Sequence, residues 1–205
     1  MESFFGRVGR VWPSGRRDLH WHILPTRSEA EALMAPYTGF DHPVLCGVAP
    51  LNMHCTLLHA VGLGHTDTDD VRALVGDVGG YAEGVEPFWL TFDRPSVGAF
   101  AVEIAGWPGG RFTALVDTLT TLTERRFPGQ FTPAPSRYPH MSLAYTVDGS
   151  DDVSAADLRA ALAAIEQPLS GTVYVDRLHL VEQWHDGAAI TWNPIAEVPL
   201  TGVTL

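Results

Sequence analysis

The chain has 205 residues, 45% of them hydrophobic and 18% charged, a length and balance that suit one domain or two small lobes around a sizeable core and argue against disorder. All 13 basic residues are arginine, so the chain contains no lysine. That removes phosphate-loop nucleotidases, Schiff-base and pyridoxal-phosphate enzymes, and ligases that work through a lysyl-adenylate, all of which need a lysine amine.

The formal net charge of −11 weighs against a long nucleic-acid partner, whose backbone calls for clustered cations. Charge is unevenly spread: residues 1–27 and 94–140 are mildly basic, while 28–93 and 141–205 are strongly acidic. The two basic stretches could line one anionic site, or could be solvated arginines with no shared role. No apolar run reaches the roughly 18 residues of a membrane span, and MESFFGRVGRVW lacks the apolar stretch of a secretory signal. Two cysteines, Cys46 and Cys55, are too few for a disulfide framework, so the expectation is a reduced, cytoplasmic protein.

In chain order, residues 19–25 alternate as a strand does, and a capped helix is predicted from Ser28. A buried strand follows at 51–60, then a helix from Thr68 to Tyr81 with Gly84 beyond its end. Strands at 88–94 and 98–106 flank a turn at Pro95–Ser96. The second half repeats the order. An amphipathic helix at 111–126 carries Phe112, Leu115, Leu119 and Leu122 on one stripe, a strand covers 139–147, and Ser154 caps an Ala-rich helix. Residues 172–183 and 188–200 close the chain as a strand pair around Asp186–Gly187.

An offset of 86 residues lays His54-Cys55-Thr56-Leu57 on His140-Met141-Ser142-Leu143. About one His-x-Ser/Thr triplet is expected by chance in this composition, but two that also carry the leucine are expected well under about 0.01 times. On a strand, residues i and i+2 share a face. His54 with Thr56, and His140 with Ser142, therefore face one way, and Cys55, Leu57, Met141 and Leu143 the other. Two lobes about a two-fold axis would bring two imidazoles and two hydroxyls into one cleft. An imidazole pair can supply base and acid near neutral pH, and the hydroxyls can hold phosphate oxygens.

These motifs, HCTL and PHMSLAY, with the closing VDRLHLVEQ and ITWNPIAEVPL, closely resemble the 2H phosphoesterase superfamily, which includes 2′-5′ RNA ligase-like proteins and 2′,3′-cyclic nucleotide phosphodiesterases. The resemblance spans about 19–200 and departs from the duplicated pattern where Met53 stands opposite Pro139. It implies a bilobal, duplicated α+β fold of strand–helix–strand–helix–strand–strand lobes, with antiparallel-rich sheets around a central cleft and helices on the outer faces. Lobe 1 is expected at about 19–97 and lobe 2 at about 98–200 within one domain, with room for terminal strands to be exchanged between them. It further implies catalysis by His54, Thr56, His140 and Ser142 without cofactor or metal. The substrate would be a small nucleotide or RNA end carrying a cyclic phosphate or 2′-linked phosphodiester, the protein a monomer away from membranes. Hydrolysis is the expected reaction. The alternatives are ATP-independent 2′-5′ RNA ligation, a non-catalytic nucleotide-binding module, and a metallohydrolase.

The remaining candidates carry two readings each. His20 and His22, at i and i+2, could begin a metal site, contact substrate or serve as structural polar residues; His22 is the one placed with the substrate. Arg137 could neutralise a phosphate and Tyr138 stack on a base, or both could lie on the surface. Tyr145 joins them as a substrate-side candidate. His59 has the wrong parity to share the face of His54 unless a bulge intervenes. His42, His65 and His185 fall in expected loops and His179 on a closing strand. Trp21 and Trp192 are core residues or base platforms. Cys55 should be an inert buried thiol, because adjacent strand residues point apart.

Overall fold

The structure, a computed structural model, describes residues 1–40, 42–64, 68–149, 154–165 and 169–203. His65 and the last residues expected of the Ser154 helix, 166–167, lie outside the described residues.

The alternation of DLHWHI forms β1 (Asp18–Ile23), with Leu19, Trp21 and Ile23 in the main hydrophobic core and Asp18, His20 and His22 on the opposite face. Thr26 and Glu29 build a reciprocal cap on α2 (Arg27–Met34): Glu29 N–H donates to Thr26 Oγ1, and Thr26 N–H donates to Glu29 Oε2 at 2.7 Å. This corrects the cap expected at Ser28; the Thr-x-x-Glu spacing decides it, and such a cap is worth about 1 kcal/mol. A short strand, β2 (Leu45–Gly47), precedes a tight turn over Pro50–Asn52, so β3 (Cys55–Val61) starts later than expected. Next come α3 (Thr68–Ala82), β4 (Phe88–Val97), β5 (Ala101–Trp107) and α4 (Gly109–Arg126). Pro95 and Ser96 lie inside β4, paired with Ile104 and Glu103, rather than at the turn.

Beyond α4 are β6 (Thr132–Pro135), β7 (His140–Thr146) and α5 (Ala155–Ala163), capped by Ser154. The expected single strand over 172–183 is two, β8 (Gly171–Val175) and β9 (Arg177–His185), which enter different sheets. The break is visible in parity: Val173 and Val175 are buried before it, Leu178 and Leu180 after it. β10 (Ile190–Pro199) closes the chain.

The strands form two five-stranded antiparallel sheets, ordered β10-β9-β1-β3-β6 and β2-β7-β5-β4-β8. Reversing the second order sets β1 against β5, β3 against β7 and β6 against β2. The run β1–α2–β2–β3–α3 thus recurs as β5–α4–β6–β7–α5, and each run lends its short edge strand to the other sheet: β2 pairs with β7, β6 with β3. Membership also crosses the 97/98 line, since β4 lies in the sheet of β7 and β9–β10 in that of β1.

Helices α3 and α4 pack on the first sheet, α2 and α5 on the second. Trp21, Leu57, Leu74, Leu115 and Leu119 fill one continuous core under them, each worth about 1.5–3 kcal/mol by burial. The opposite sheet faces are left to form a cleft. A second aromatic cluster holds Phe5, Trp12, Tyr145 and Ile190, with Phe4, Val8, Phe100 and Trp192 against it. It docks the N-terminal segment, including the one-turn helix α1 (Phe4–Val8), at the cleft. No helix among the described residues is long and apolar enough to cross a membrane.

Candidate active site

The two motifs meet where β3 packs on β7. Cys55 is fully buried with its sulfur against the backbone N–H of His140, and burial pushes its thiol up to about 12. It is an inert packing residue at this seam, as its strand position implies.

His54 stands immediately before β3 and His140 begins β7. Both rings are held in the same way. Nδ1 of His54 lies 2.8 Å from the carbonyl of Asn52, and Nδ1 of His140 lies 3.0 Å from the carbonyl of Tyr138. A carbonyl only accepts, so each Nδ1 carries the proton and donates, which leaves Nε2 of a neutral ring as a bare acceptor. The anchor is the residue two before the histidine in both motifs.

Each motif strand contains one extra residue. Trp21 pairs with Leu58 and His22 with Thr56, so Leu57 has no partner on β1. Val102 pairs with Ala144 and Glu103 with Ser142, so Leu143 has none on β5. A bulge reverses parity downstream. His59 therefore returns to the face of Thr56, and Tyr145 to the face of Ser142. His54, Thr56 and His59 from one sheet, and His140, Ser142 and Tyr145 from the other, line one cleft of about 430 Å³. Its other walls include Trp12, His20, Ser136 and Gln183, and no arginine or carboxylate lines it among the described residues.

Behind His54 stands a column of imidazoles. His22, fully buried, stacks on His54 with ring centroids 4.6 Å apart, and Trp192 packs edge-on to both. His20 follows at 5.4 Å from His22 and stacks on His59 at 3.9 Å. Nε2 of His59 donates to Asp18, 2.8 Å away, and the same carboxylate oxygen accepts from Arg16. Burial lowers the pKa of His54 to about 4, with the charge of His140 adding to the effect. Burial also holds His20 and His22 well below the ordinary range, helped by neighbouring imidazoles.

The other sequence candidates are dispersed. His22 supports His54 from behind and is not among the residues lining the cleft. Tyr145 is on the cleft; burial raises its phenol to about 12, and it hydrogen-bonds with Ser142. Tyr138 lies on the rim, its ring 5.0 Å from His140 and its hydroxyl donating to Glu103 at 2.6 Å. Arg137 beside it is exposed, and among the described residues it is the arginine without an ion pair or hydrogen bond. His185 ends β9 rather than falling in a loop, and is buried with Nε2 donating to the Trp12 carbonyl at 2.7 Å. His42 accepts from the Val44 N–H, and His179 lies 3.9 Å from Glu197 outside the cleft. Trp21 is core. No three His, Cys, Asp or Glu side chains are placed to hold a metal among the described residues.

The cleft residues that sequence reading misses include Phe4, Val8, Trp12, Phe100, Ser136 and Gln183. The first three carry a signal: their i, i+4, i+8 spacing is a helical stripe, and Trp12 N–H donates to the Val8 carbonyl at 2.7 Å.

No protein-family model matches the chain, and no curated protein matches it in sequence. Solved structures do. E. coli LigT complexed with 3′-AMP is 20% identical with a TM-score of 0.65, covering 90% of this chain and 98% of LigT. TT0787 of Thermus thermophilus is 18% identical with a TM-score of 0.63 over 90% of this chain and 98% of its own. A protein described as a phosphoesterase is 21% identical with a TM-score of 0.65 over 90% and 99%. The fold of this chain is that of E. coli LigT, of TT0787 and of the protein described as a phosphoesterase.

Proposed function

We propose that this protein is a phosphoesterase that hydrolyses a 2′,3′-cyclic phosphate, or a related nucleotide phosphodiester, to a monoester by two-histidine acid–base catalysis. The observation that carries this is the matched pair of imidazoles, each anchored through Nδ1 to the carbonyl two residues before it and each lining one cleft with a hydroxyl two residues beyond. In the proposed step His54, kept neutral by burial, accepts a proton from water at Nε2 as the oxygen attacks phosphorus. The ribose oxygen leaves on the opposite side and takes a proton from Nε2 of His140. Thr56 and Ser142 donate to the non-bridging oxygens as charge builds there. Base, acid and oxyanion donors are thus all supplied by the chain, so no metal is required. Arg137, exposed and next in sequence to Tyr138, has its guanidinium free to meet a phosphate. That structures of E. coli LigT hold 3′-AMP and phosphate supports a small nucleotide as the substrate class.

Hydrolysis is favoured over ligation because a ligase must hold two RNA ends, and no arginine lines the cleft among the described residues to follow a second backbone. The test is a panel of 2′,3′-cyclic mononucleotides and RNA halves bearing cyclic-phosphate ends, with and without a strong chelator. Chelator-resistant release of monoester is expected. Activity lost on chelation and restored by zinc would overturn the mechanism.

A further inference from the structure

We propose that the end of the cleft built from Trp12, His20, His59 and Gln183 is a subsite for the uncharged base of a nucleotide, so that the cleft takes one phosphoryl group and one neutral heterocycle. This rests on the reading of the cleft as a nucleotide site. Three polar atoms in it are buried and have no partner: both ring nitrogens of His20 and Oε1 of Gln183. The two residues are 3% and 2% exposed, yet both line the cleft. Buried polar atoms are nearly always paired, and an orphan costs about 1–3 kcal/mol. A ligand that supplies the partners removes that cost. His22 also has two orphan nitrogens, but it is walled in by His54 and Trp192 away from the cleft lining, so it marks no ligand contact.

The chemistry of the orphans selects the occupant. His20, held neutral in its burial, offers one donor and one acceptor, and Gln183 adds a carbonyl acceptor. This set complements the alternating donor and acceptor edge of a nucleobase. Gln183 lies opposite Asp18 on β9 and β1, and His20 follows two residues along the same face. His59 is fixed by its hydrogen bond to Asp18, and the Trp12 ring closes the end, 5.5 Å from His20 and 5.2 Å from His59.

A second phosphate finds no counter-charge there among the described residues. Arg16 is committed to Asp18 and Arg17 to Glu182, and neither lines the cleft. Behind the cleft lining, His22 stands between His20 and His54, its ring 5.4 Å from the first and 4.6 Å from the second, so the proposed base end and the His54 end of the cleft are set apart by one intervening imidazole.

The experiment is calorimetric binding to the full chain of adenosine and uridine 3′-monophosphates, adenosine 3′,5′-bisphosphate and inorganic phosphate. At least one monophosphate is expected to bind tenfold or more tightly than inorganic phosphate. The bisphosphate should bind no more tightly than the monophosphate. Gln183→Met and His20→Phe should each pull the nucleotide-to-phosphate affinity ratio down about tenfold, with the melting transition showing which variants fold; Gln183→Met, which conserves volume, carries the test if His20→Phe does not fold. An unchanged ratio in the folded variants, a wild-type ratio near one, or a bisphosphate bound tenfold more tightly would overturn the subsite. Base-dependent binding in a protein that hydrolyses no cyclic phosphodiester would overturn the hydrolase reading and leave the subsite standing.

Discussion

His59 and Tyr145 are equivalent residues: each lies three positions beyond the hydroxyl of its motif, and each reaches the cleft because one leucine, Leu57 or Leu143, bulges from the strand before it. With unbroken period-two alternation both would point toward the helices. The bulges give the cleft a third pair of side chains, and that pair is chemically unlike. On the first sheet it is an imidazole tied to Asp18, on the second a buried phenol hydrogen-bonded with Ser142. The two halves of the site thus share a backbone plan but not a charge pattern, so substrate should bind in one orientation.

Tyr145 should act as a positioning residue for Ser142. Tyr145→Phe keeps the ring that packs on Phe4 at 4.2 Å and removes only the hydroxyl. About tenfold loss of kcat, little change in KM and an unchanged melting temperature are expected, since the lost bond orients a donor used as charge develops. A variant with full kcat would show that Ser142 is held without the phenol.

His54→Ala and His140→Ala should each fold and each lose roughly 10²–10⁴ in kcat on a 2′,3′-cyclic mononucleotide. The double variant should lose far less than the product of the single losses, because acid and base act in one step. Steady-state kinetics on purified variants tests this, and near-normal turnover in either single variant contradicts the assignment.

Arg137→Gln should raise KM several-fold and leave kcat close to wild type, the pattern of a contact made equally in ground and transition states. The dependence of KM on salt should weaken in the variant, because a rim charge is screened within about 10 Å at 0.1 M ionic strength. An unchanged KM would place Arg137 outside the substrate's reach.

Much of this site is legible in the sequence, and the gaps have physical causes. Strand parity sets His54 with Thr56 and His140 with Ser142, and both pairs line the cleft. It fails just past them, because a bulge leaves no mark in a run such as LNMHCTLLHA, where Leu57 and Leu58 are both buried. Periodicity tells which face His22 is on but not what covers that face; here the rings of His54 and Trp192 pack against it. β2 and β6 escape notice because strands of three and four residues have no period to read. Their exchange between sheets is a long-range pairing that local pattern does not encode.

Stability should fall on mild acidification, before the carboxylates titrate. His54, His20 and His22 are held neutral in the fold, with pKa values below that of an unfolded histidine near 6.5. A depressed histidine contributes its full stability above the unfolded pKa, and the contribution is lost as pH falls through the folded one. For His54, at about 4 in the fold, this amounts to on the order of 3 kcal/mol across the whole window. Urea unfolding at pH 7 and pH 5 should therefore show a clear loss. His22→Phe, which keeps a ring against His54 and removes one titrating group with two orphan nitrogens, should shrink that loss. Equal stability of the wild type at the two pH values would mean that these imidazoles are not desolvated.

The same desolvation shapes the pH dependence of catalysis. His54 must be neutral to accept a proton, so kcat/KM should fall as pH drops through about 4, the value burial gives the free enzyme. The step also needs a proton donor, so kcat/KM should fall again toward alkaline pH. The profile is bell-shaped, and it reaches further into acid than two ordinary imidazoles would allow. Both limbs belong to the coupled pair, since the charge of His140 acts on His54. Bound substrate changes the balance: a phosphodiester anion favours imidazolium, so the acid limb of kcat should lie above that of kcat/KM. Replacing either histidine should remove one limb from whatever residual activity remains. The measurement is kcat and kcat/KM for a 2′,3′-cyclic mononucleotide from pH 4 to 9.5 at fixed ionic strength, under conditions where chemistry limits turnover. An acid limb of kcat/KM above pH 6 would remove His54 from the role of base. A rate still climbing at pH 9 would mean that hydroxide attacks unaided, and the two-histidine mechanism would fall with it.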